Sequence, residues 1–339
     1  MVTIKDVANA AGVSPTTVSN VIHGYHSRVS EGTSAKILSV IEELGYVPNL
    51  SARSLVSRSS HVISMINNVS VENPSDIILN PFHLLAVSQI EASLRESGYY
   101  LMFRTCQSGQ ELKVFLQNWN VDGIFVSGPV KEDFLQVLLE TDKPIVLLDS
   151  NIHESSLSDV GQDDFTGGYL AARFLLDHGH RKIGYATLSI EHIGSTAKRY
   201  EGFCKALQEA GIEPDPSFLF KCDNSHPDSY SEMVSHIREA VSSGMTAIGT
   251  SSDHIAMIIR YQLRQLGIGT PDPLSIIGFG DLSQYLPYLA GLTSVHYDFQ
   301  KKAASAVEFM QDLLSGKRTE PGHMVLPVRI IDQGSVRQI

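Results

Sequence analysis

Cysteine is scarce in this chain of 339 residues, which contains only three. Cys106, Cys204 and Cys222 are odd in number and widely spaced, so they indicate neither a disulfide framework nor a zinc site. Apolar runs of the roughly 18 residues that a membrane span requires are also missing. The N-terminus shows no secretory segment. We therefore expect a reducing, cytoplasmic location, with no cofactor and no membrane partner.

Recognisable catalytic signatures are missing as well. The sequence has no GxSxG, HExxH or Walker loop, and its thirteen histidines form no set with metal-ligand spacing. Residues 278–283 (GFGDLS) partly resemble a dinucleotide-binding loop but lack its third glycine. These absences argue against an enzyme.

What the sequence does contain, at its start, is the pattern of two short helices joined by a tight turn, in residues 3–20 (TIKDVANAAGVSPTTVSN). Thr3 is a suitable N-cap, and apolar residues then recur at helical spacing until Gly12 interrupts them. Ser14 can cap the second helix, with Pro15 at its first position, where the missing N–H costs nothing. Small polar residues occupy the open face of that second helix. This arrangement is typical of a helix-turn-helix that reads DNA.

A third amphipathic helix is predicted over residues 30–44, with Gly45 as its C-cap. Three short helices form a self-sufficient DNA-reading module. On spacing alone, the first helices of an ordinary globular domain remain an open alternative.

Positive charge is in short supply, since the chain carries a net charge of −11. Residues 1–60 hold five basic and four acidic side chains, a net charge of +1, which leaves −12 for the remainder. The acidic remainder would repel DNA and restrict it to the N-terminal helices. Helix N-termini and hydroxyls must then supply many phosphate contacts, so we expect modest non-specific affinity and a shallow salt dependence.

From about residue 61 the pattern changes to strands that alternate with helices of 10–15 residues. Such alternation predicts parallel sheets covered by helices on both faces. Two runs in succession predict two doubly wound lobes, with a ligand crevice at the carboxyl ends of the strands.

Three stretches, VTIKDVANAAGVSPTTVSNVI, RVSEGTSAKILSVIEELGY and PNLSARSL, resemble the headpiece and hinge of the lactose/galactose repressor (LacI/GalR) family. Later motifs such as VDGIFVS, KRYEGFCKAL and LTSVHYDF extend the resemblance towards the C-terminus. It implies a small all-α helix-turn-helix headpiece followed by an α/β effector domain like periplasmic binding proteins, with two doubly wound parallel-sheet lobes. The implied domains are a headpiece over 1–47, a hinge helix and linker over 48–60, an N-terminal lobe over 61–160 and 292–320, and a C-terminal lobe over 161–291 and 321–339.

The resemblance also implies which residues contact DNA. Pro15, Thr16 and Asn20 match positions that face base edges, where Asn pairs well with adenine and Thr offers a hydroxyl or a methyl group. The hinge sequence LSARSLVS is too short to be a stable helix alone. Leu55 matches the residue that wedges into a minor-groove base step, with a buried contact to the body as the alternative. The implied DNA-binding residues are Thr3, Ser14, Pro15, Thr16, Thr17, Asn20, Ala52, Arg53, Ser54 and Leu55.

For the effector, Arg199 matches the arginine that reaches into the family's cleft, where its fork of donors suits hydroxyl or carboxylate oxygens. The family's Asn-Asp pair appears here as Ser252-Asp253, its Asp-Asp pair as Gly280-Asp281, and an aromatic shelf as Asn224. These departures leave a sugar phosphate, an oligosaccharide, a nucleoside or a protein partner open beside a simple hexose. For His83 a hydrogen-bonded loop histidine remains an alternative to a ligand contact. The implied effector-binding residues are Phe82, His83, Asn120, Asp149, Ser195, Arg199, Asn224, Ser252, Asp253, Asp281, Tyr297 and Phe299.

The sequence therefore predicts a ligand-responsive, sequence-specific DNA-binding regulator, expected to repress a carbohydrate or related catabolic operon. A homodimer on pseudo-palindromic operator DNA is expected, because one headpiece gives little affinity and the chain ends without an apolar heptad segment. A small effector, expected to be a sugar or sugar derivative, would close the lobes and alter hinge pairing on DNA. The alternatives are a solute-binding protein and a regulator gated by a protein partner.

Overall fold

Two units divide the chain, residues 1–61 and residues 62–339. The structure is a computed structural model. It describes residues 2–22, 24–47, 59–68, 81–150, 152, 156–188, 194–222, 228–287 and 290–339.

In the described part of the first unit, three short helices surround a small apolar core. A capping box begins the first helix: the Asp6 amide lies 3.4 Å from Thr3 Oγ1, and the Thr3 amide donates to the Asp6 carboxylate at 2.8 Å. Gly12 ends it in the left-handed region, with φ 67°, which glycine adopts without steric cost. The helices are α1 (Ile4–Ala11), α2 (Pro15–Ile22) and α3 (Glu31–Leu44). The core residues are Val7, Ala8, Ala11, Val18, Val21 and Ile37.

The second unit alternates strands with helices, as the pattern predicts. Its first run comprises β1 (Val62–Asn67), α4 (Pro81–Glu96), β2 (Tyr100–Thr105), α5 (Gly109–Asn118), β3 (Gly123–Ser127), α6 (Glu132–Glu140), β4 (Ile145–Leu148) and β5 (Ser158–Gln162). The second run comprises α7 (Asp164–Asp177), β6 (Ile183–Leu188), α8 (Ser195–Glu209), β7 (Leu219–Cys222), α9 (Ser229–Ser242), β8 (Ala247–Thr250), α10 (Asp253–Gln265), β9 (Ser275–Phe279) and β10 (Ser294–His296). The chain ends with α11 (Phe299–Leu314), β11 (His323–Leu326) and β12 (Arg329–Ile331).

These strands form two six-stranded sheets, with the orders β11-β5-β4-β3-β1-β2 and β12-β10-β9-β8-β6-β7. The pairs are parallel except for β12, which runs antiparallel to β10. In the first lobe one face of the sheet packs against α4 and α11, and the other against α5 and α6. In the second lobe the sheet packs against α7, α8, α9 and α10. None of the helices in the described ranges is long and apolar enough to cross a membrane.

The chain passes between the lobes three times, later than the expected positions near residues 160, 291 and 321. The first passage follows β5, which continues to Gln162. The second lies between β10, in the second sheet, and α11, which packs on the first. The third lies between β11 and β12. The strands that flank these passages, β5, β10, β11 and β12, were not singled out in the sequence, because their three to five residues show little periodic signal.

Candidate functional site

Ser14 fixes the start of α2. Its Oγ accepts a hydrogen bond from the Thr17 amide at 3.1 Å and lies 2.8 Å from the Thr17 hydroxyl. Thr3 is engaged in the same way at the start of α1, where it caps the helix. Three of the predicted DNA-binding residues therefore hold the turn and the two helices in shape. Thr3 and Ser14 remain exposed at helix N-termini, where a phosphate is favoured.

The outer face of α2 presents small polar side chains. Val18 and Val21 are buried, whereas Pro15 and Thr16 are exposed and Asn20 is half-buried. Thr16 and Asn20 are four residues apart, so they lie on the same side of the helix. This face has the donor and acceptor groups that major-groove readout uses.

Tyr25 and Arg28 were not singled out in the sequence, although they follow α2 directly. The Tyr25 side chain is 54% exposed, and the Arg28 guanidinium carbon lies 5.3 Å from its ring centroid. Such a cation–π contact holds an exposed arginine near one orientation. In the sequence, Arg28 could have been selected because it is one of the few basic residues of the headpiece.

The predicted hinge contacts Ala52, Arg53, Ser54 and Leu55 lie outside the described residues. Asn224 also lies outside them. Phe82 and His83 fall in the first turn of α4, but their side chains are outside the described part of the structure.

In the second unit Arg199 is buried and already paired. Its Nε donates to Asp164 Oδ1 at 2.7 Å, and Nη1 donates to the Ser251 carbonyl at 2.7 Å. The guanidinium carbon also lies 3.7 Å from the centroid of the Phe279 ring. These contacts neutralise and orient the guanidinium before any ligand arrives. Asp164, which the sequence analysis did not select, is the residue that makes this possible.

Glycines position the backbone that carries Arg199. A Cβ atom at Gly168 would run into the carbonyl of Arg199, and one at Gly202 would run into the carbonyl of Phe165. The close approach of α7 and α8 therefore depends on these two glycines. They belong to the motifs GGYLAAR and RYEGF, where the sequence marks them as small residues within helices.

A continuous polar network joins Arg199 to the first lobe. Asp164 Oδ1 accepts a hydrogen bond from the side-chain Nε2 of Gln162 at 2.8 Å, and Gln162 Oε1 accepts one from Lys302 Nζ at 3.0 Å. Lys302 in turn forms an ion pair with Asp149. Arg199 and Asp164 belong to the second lobe, and the other three residues belong to the first. The two lobes are thus bridged by side chains of the protein itself.

Ser195 provides a second bridge between the lobes. It is the first residue of α8, and its Oγ donates to the carbonyl of Asp149 at 3.2 Å. Asp149 itself has a left-handed backbone, with φ 59°. The structure therefore brings the predicted residues Asp149, Ser195 and Arg199 into one network.

Ser252 and Asp253 are engaged in the second lobe. Ser252 caps α10, accepting from the Ile255 amide at 3.4 Å. The Asp253 carboxylate accepts from the Ser294 hydroxyl at 2.6 Å and from the Leu282 amide at 2.7 Å. Burial raises the pKa of Asp253 to about 6, against the lowering effect of these hydrogen bonds.

Asp281 organises the neighbouring turn. Its backbone is left-handed, with φ 50°, and its amide donates to Ser294 Oγ at 3.0 Å. Its two carboxylate oxygens lie 2.9 Å from His296 Nδ1 and 2.8 Å from the Ser283 hydroxyl. Asp253 and Asp281 therefore hold β9, β10 and the intervening turn together, whether or not they also contact an effector.

Tyr297 and Phe299 are buried in the passage from β10 to α11. Their ring centroids are 4.5 Å apart, and Phe279 lies 6.2 Å from Tyr297. Burial raises the pKa of Tyr297. These rings form an apolar support beside the polar network.

Asn120 does not join the other predicted effector residues. It is exposed and precedes β3, at the amino end of that strand. The carboxyl ends, where the network lies, form the opposite edge of a parallel sheet. The match of Asn120 to a cleft position is therefore not supported by the strand direction. Among the described residues, no group of three or more His, Cys, Asp or Glu could hold a metal ion.

Two family models match the chain. Residues 3–49 match the bacterial regulatory proteins of the lacI family, and residues 172–336 match a periplasmic binding protein-like domain. Among curated proteins, the HTH-type transcriptional repressor PurR of Pasteurella multocida is 32% identical, over 99% of each chain. The PurR repressor of Photobacterium profundum is 30% identical over 100% of each chain.

Solved structures agree with these relatives. The complex of the transcriptional regulator CelR with cellobiose is 26% identical with a TM-score of 0.70, covering 99% of this chain and 100% of that one. The lac repressor dimer bound to operator and the anti-inducer ONPF has the same fold, with a TM-score of 0.81 at 22% identity, over 99% of each chain.

The helix-turn-helix headpiece and the two-lobed domain thus define a DNA-binding transcriptional regulator rather than an enzyme. The chain belongs to the lacI family of bacterial regulatory proteins. The family and the fold class predicted from the sequence are confirmed.

Proposed function

We propose that this regulator represses transcription in the cytoplasm as a homodimer on pseudo-palindromic operator DNA, and that a small polar molecule bound between its lobes controls it. The observation that carries the proposal is the network from Arg199 to Asp149, because it joins the two lobes through side chains that a ligand would have to share or displace. A ligand that prefers one arrangement of the lobes shifts the population towards it.

Exposed apolar residues support a homodimer. Strand β2 forms one edge of the first sheet and exposes Tyr100 and Phe103. Leu84 on α4 and Val114 on α5, the elements next to β2 in the chain, are also exposed. An edge strand with exposed apolar side chains is favourable for association with a second copy.

A carbohydrate effector is one case of this proposal. The solved complex of CelR with cellobiose supports it. The curated relatives named PurR do not support it, so we propose a small polar effector without restricting it to sugars.

The test begins with the purified full chain and a pool of random duplex DNA. Repeated selection should enrich a pseudo-palindromic sequence, and fluorescence anisotropy then measures affinity for it. We expect Asn20→Ala to lose about 1–3 kcal/mol of discrimination between this operator and a variant with one altered base pair.

The matched control is Asn9→Ala, because Asn9 is an exposed asparagine on α1. It should keep the discrimination of the original protein. Failure to enrich any sequence would contradict the repressor function. Equal effects of the two variants would contradict the proposed role of the α2 face.

A further inference from the structure

Three polar side chains near the carboxyl ends of the strands have buried hydrogen-bonding atoms that find no partner among the described residues. The side-chain atoms Nδ2 and Oδ1 of Asn67 make no hydrogen bond to any described residue, and the same holds for Asp149 Oδ1 and Thr187 Oγ1. Asn67 is 1% exposed and Thr187 is 0% exposed. Buried polar groups of folded proteins are nearly always paired, because an unpaired group loses its hydration without compensation.

Asn67 lies close to the network that bridges the lobes. It is the last residue of β1 and is level with Ser127 in β3, which is level with Leu148 in β4. Asp149 follows Leu148 directly. Two strand spacings separate β1 from β4, about 10 Å. A single substituted ring can therefore contact both side chains.

Asn67 also projects to the correct face of the sheet. Alternation places it on the side of Ile63 and Met65, whose side chains pack in the cluster that includes Ala303 and Ala306 of α11. Lys302, the partner of Asp149, is on the same helix. Asn67 and the Lys302–Asp149 pair thus occupy one face and one edge of the first lobe.

The charge around this position disfavours an anion. Among the described residues, the buried cations Arg199 and Lys302 are each already paired with a carboxylate. Asp253 and Asp281 add two further carboxylates at the same edge of the second sheet, with His296 as a neighbour.

We propose that Asn67 is a specificity-determining contact for the effector, and that the effector is an uncharged molecule with adjacent hydrogen-bond donors and acceptors. The Asn67 amide offers both a donor and an acceptor, and Asp149 Oδ1 accepts a hydrogen from the ligand. A phosphate or carboxylate would add negative charge beside carboxylates without finding a free buried cation. This inference rests on the proposed small-molecule effector and specifies its chemistry.

The first experiment compares matched pairs of compounds with the full-length protein by thermal shift, followed by calorimetric titration. The pairs are ribose and ribose 5-phosphate, glucose and glucose 6-phosphate, glucose and gluconate, and adenosine and AMP. We expect binding from an uncharged member, with a Kd at least about tenfold lower than that of its charged counterpart. Preferential binding of a charged member would overturn this inference and leave the proposed function standing. No shift with any compound would contradict both.

The second experiment tests Asn67 itself, with the compound that binds. Asn67→Leu replaces the unpaired amide with an apolar group of similar size, so the ligand-free Tm should stay the same or rise. The Kd for the compound should increase about tenfold or more. Asn118→Leu makes the same replacement at an exposed position at the end of α5 and should leave both quantities unchanged.

A purely structural role for Asn67 predicts the reverse pattern, a lower Tm with unchanged Kd, and that result would overturn the inference. If Asn67→Leu does not fold, Asn67→Thr keeps one hydroxyl and should show an intermediate Kd. An unaltered Kd in Asn67→Thr would then count against the proposed contact.

Discussion

The headpiece and the cleft use polar side chains in opposite ways. On α2, Thr16 is exposed and Asn20 is half-buried on a helix that packs through its valines, so these side chains can change without disturbing the core. In the cleft, Arg199 and Asp164 are buried and hold each other. A substitution that abolishes function must therefore be interpreted differently in the two regions. On α2 a loss of function would report the proposed contact with DNA, whereas beside Arg199 it would also report a loss of folding stability.

The largest expected effect is that of Arg199→Ala, the obvious test of a ligand-binding arginine. It should lower the free energy of unfolding by about 3–5 kcal/mol, because it leaves the Asp164 carboxylate buried without its cation. Urea denaturation of the ligand-free protein measures this. Loss of ligand binding by this variant alone is therefore not diagnostic.

Two controls sharpen the result. Lys205→Ala removes an exposed ion pair with Glu209 on the same helix and should scarcely change stability. The double variant Arg199→Met with Asp164→Leu should recover most of the loss, because no buried charge is left unpaired. A stable Arg199→Ala protein would show that water reaches Asp164, and would remove the contrast between the two regions.

The same contrast explains what could be predicted from sequence. The signals that define the headpiece are close together in the sequence: the caps Thr3 and Ser14, the turn glycine Gly12 and the apolar spacing of the helices. Its three helices were therefore predicted correctly. The alternation of strands and helices predicted the two lobes for the same reason. The parallel pairing of the strands within each run then follows from the rules for such sheets, whereas the antiparallel pairing of β12 does not.

The cleft could not be predicted in this way because its partners are distant in sequence. Lys302 and Asp149 are 153 residues apart, and Lys302 and Gln162 are 140 apart. The resemblance selected Asp149, Ser195 and Arg199, which the structure places in one network, but it gave no reason to select Asn67, Asp164 or Lys302. It also matched Asn120, which the strand direction places at the wrong edge. Pairing at such distances is decided by the tertiary fold.

Asp253 gives the second prediction, a dependence of stability on pH that the headpiece should not share. Its folded pKa of about 6 lies above the ordinary value of 3.8, so the folded state binds more protons between these values. The free energy of unfolding should therefore fall as pH rises from about 4 to 6, by up to about 3 kcal/mol.

The measurement is a series of urea denaturations across this range for the original protein and for Asp253→Asn. The variant has no proton to lose, so the difference between the two curves should change by that amount and then level off above pH 6. Because groups distant from Asp253 titrate equally in both proteins, the difference reports Asp253 and its direct neighbours. Parallel curves would show that the carboxyl group keeps an ordinary pKa and is hydrated.

The smallest expected effects come from one replacement, glycine to alanine, made in both regions. Gly32 lies in α3, where an added methyl group would meet no other atom within 4 Å. Gly32→Ala should therefore stabilise the headpiece by about 0.4–1 kcal/mol, because it lowers the entropy of the unfolded chain. At Gly168 the same methyl group would run into the Arg199 carbonyl. Gly168→Ala should therefore destabilise the second unit by about 1–3 kcal/mol and weaken the Arg199 network with it. Calorimetry that resolves the two units should show a higher Tm for the headpiece of Gly32→Ala and a lower Tm for the second unit of Gly168→Ala. An unchanged Tm in Gly168→Ala would mean that α7 and α8 can move apart without losing stability. The packing around Arg199 would then be less tight than that of the headpiece.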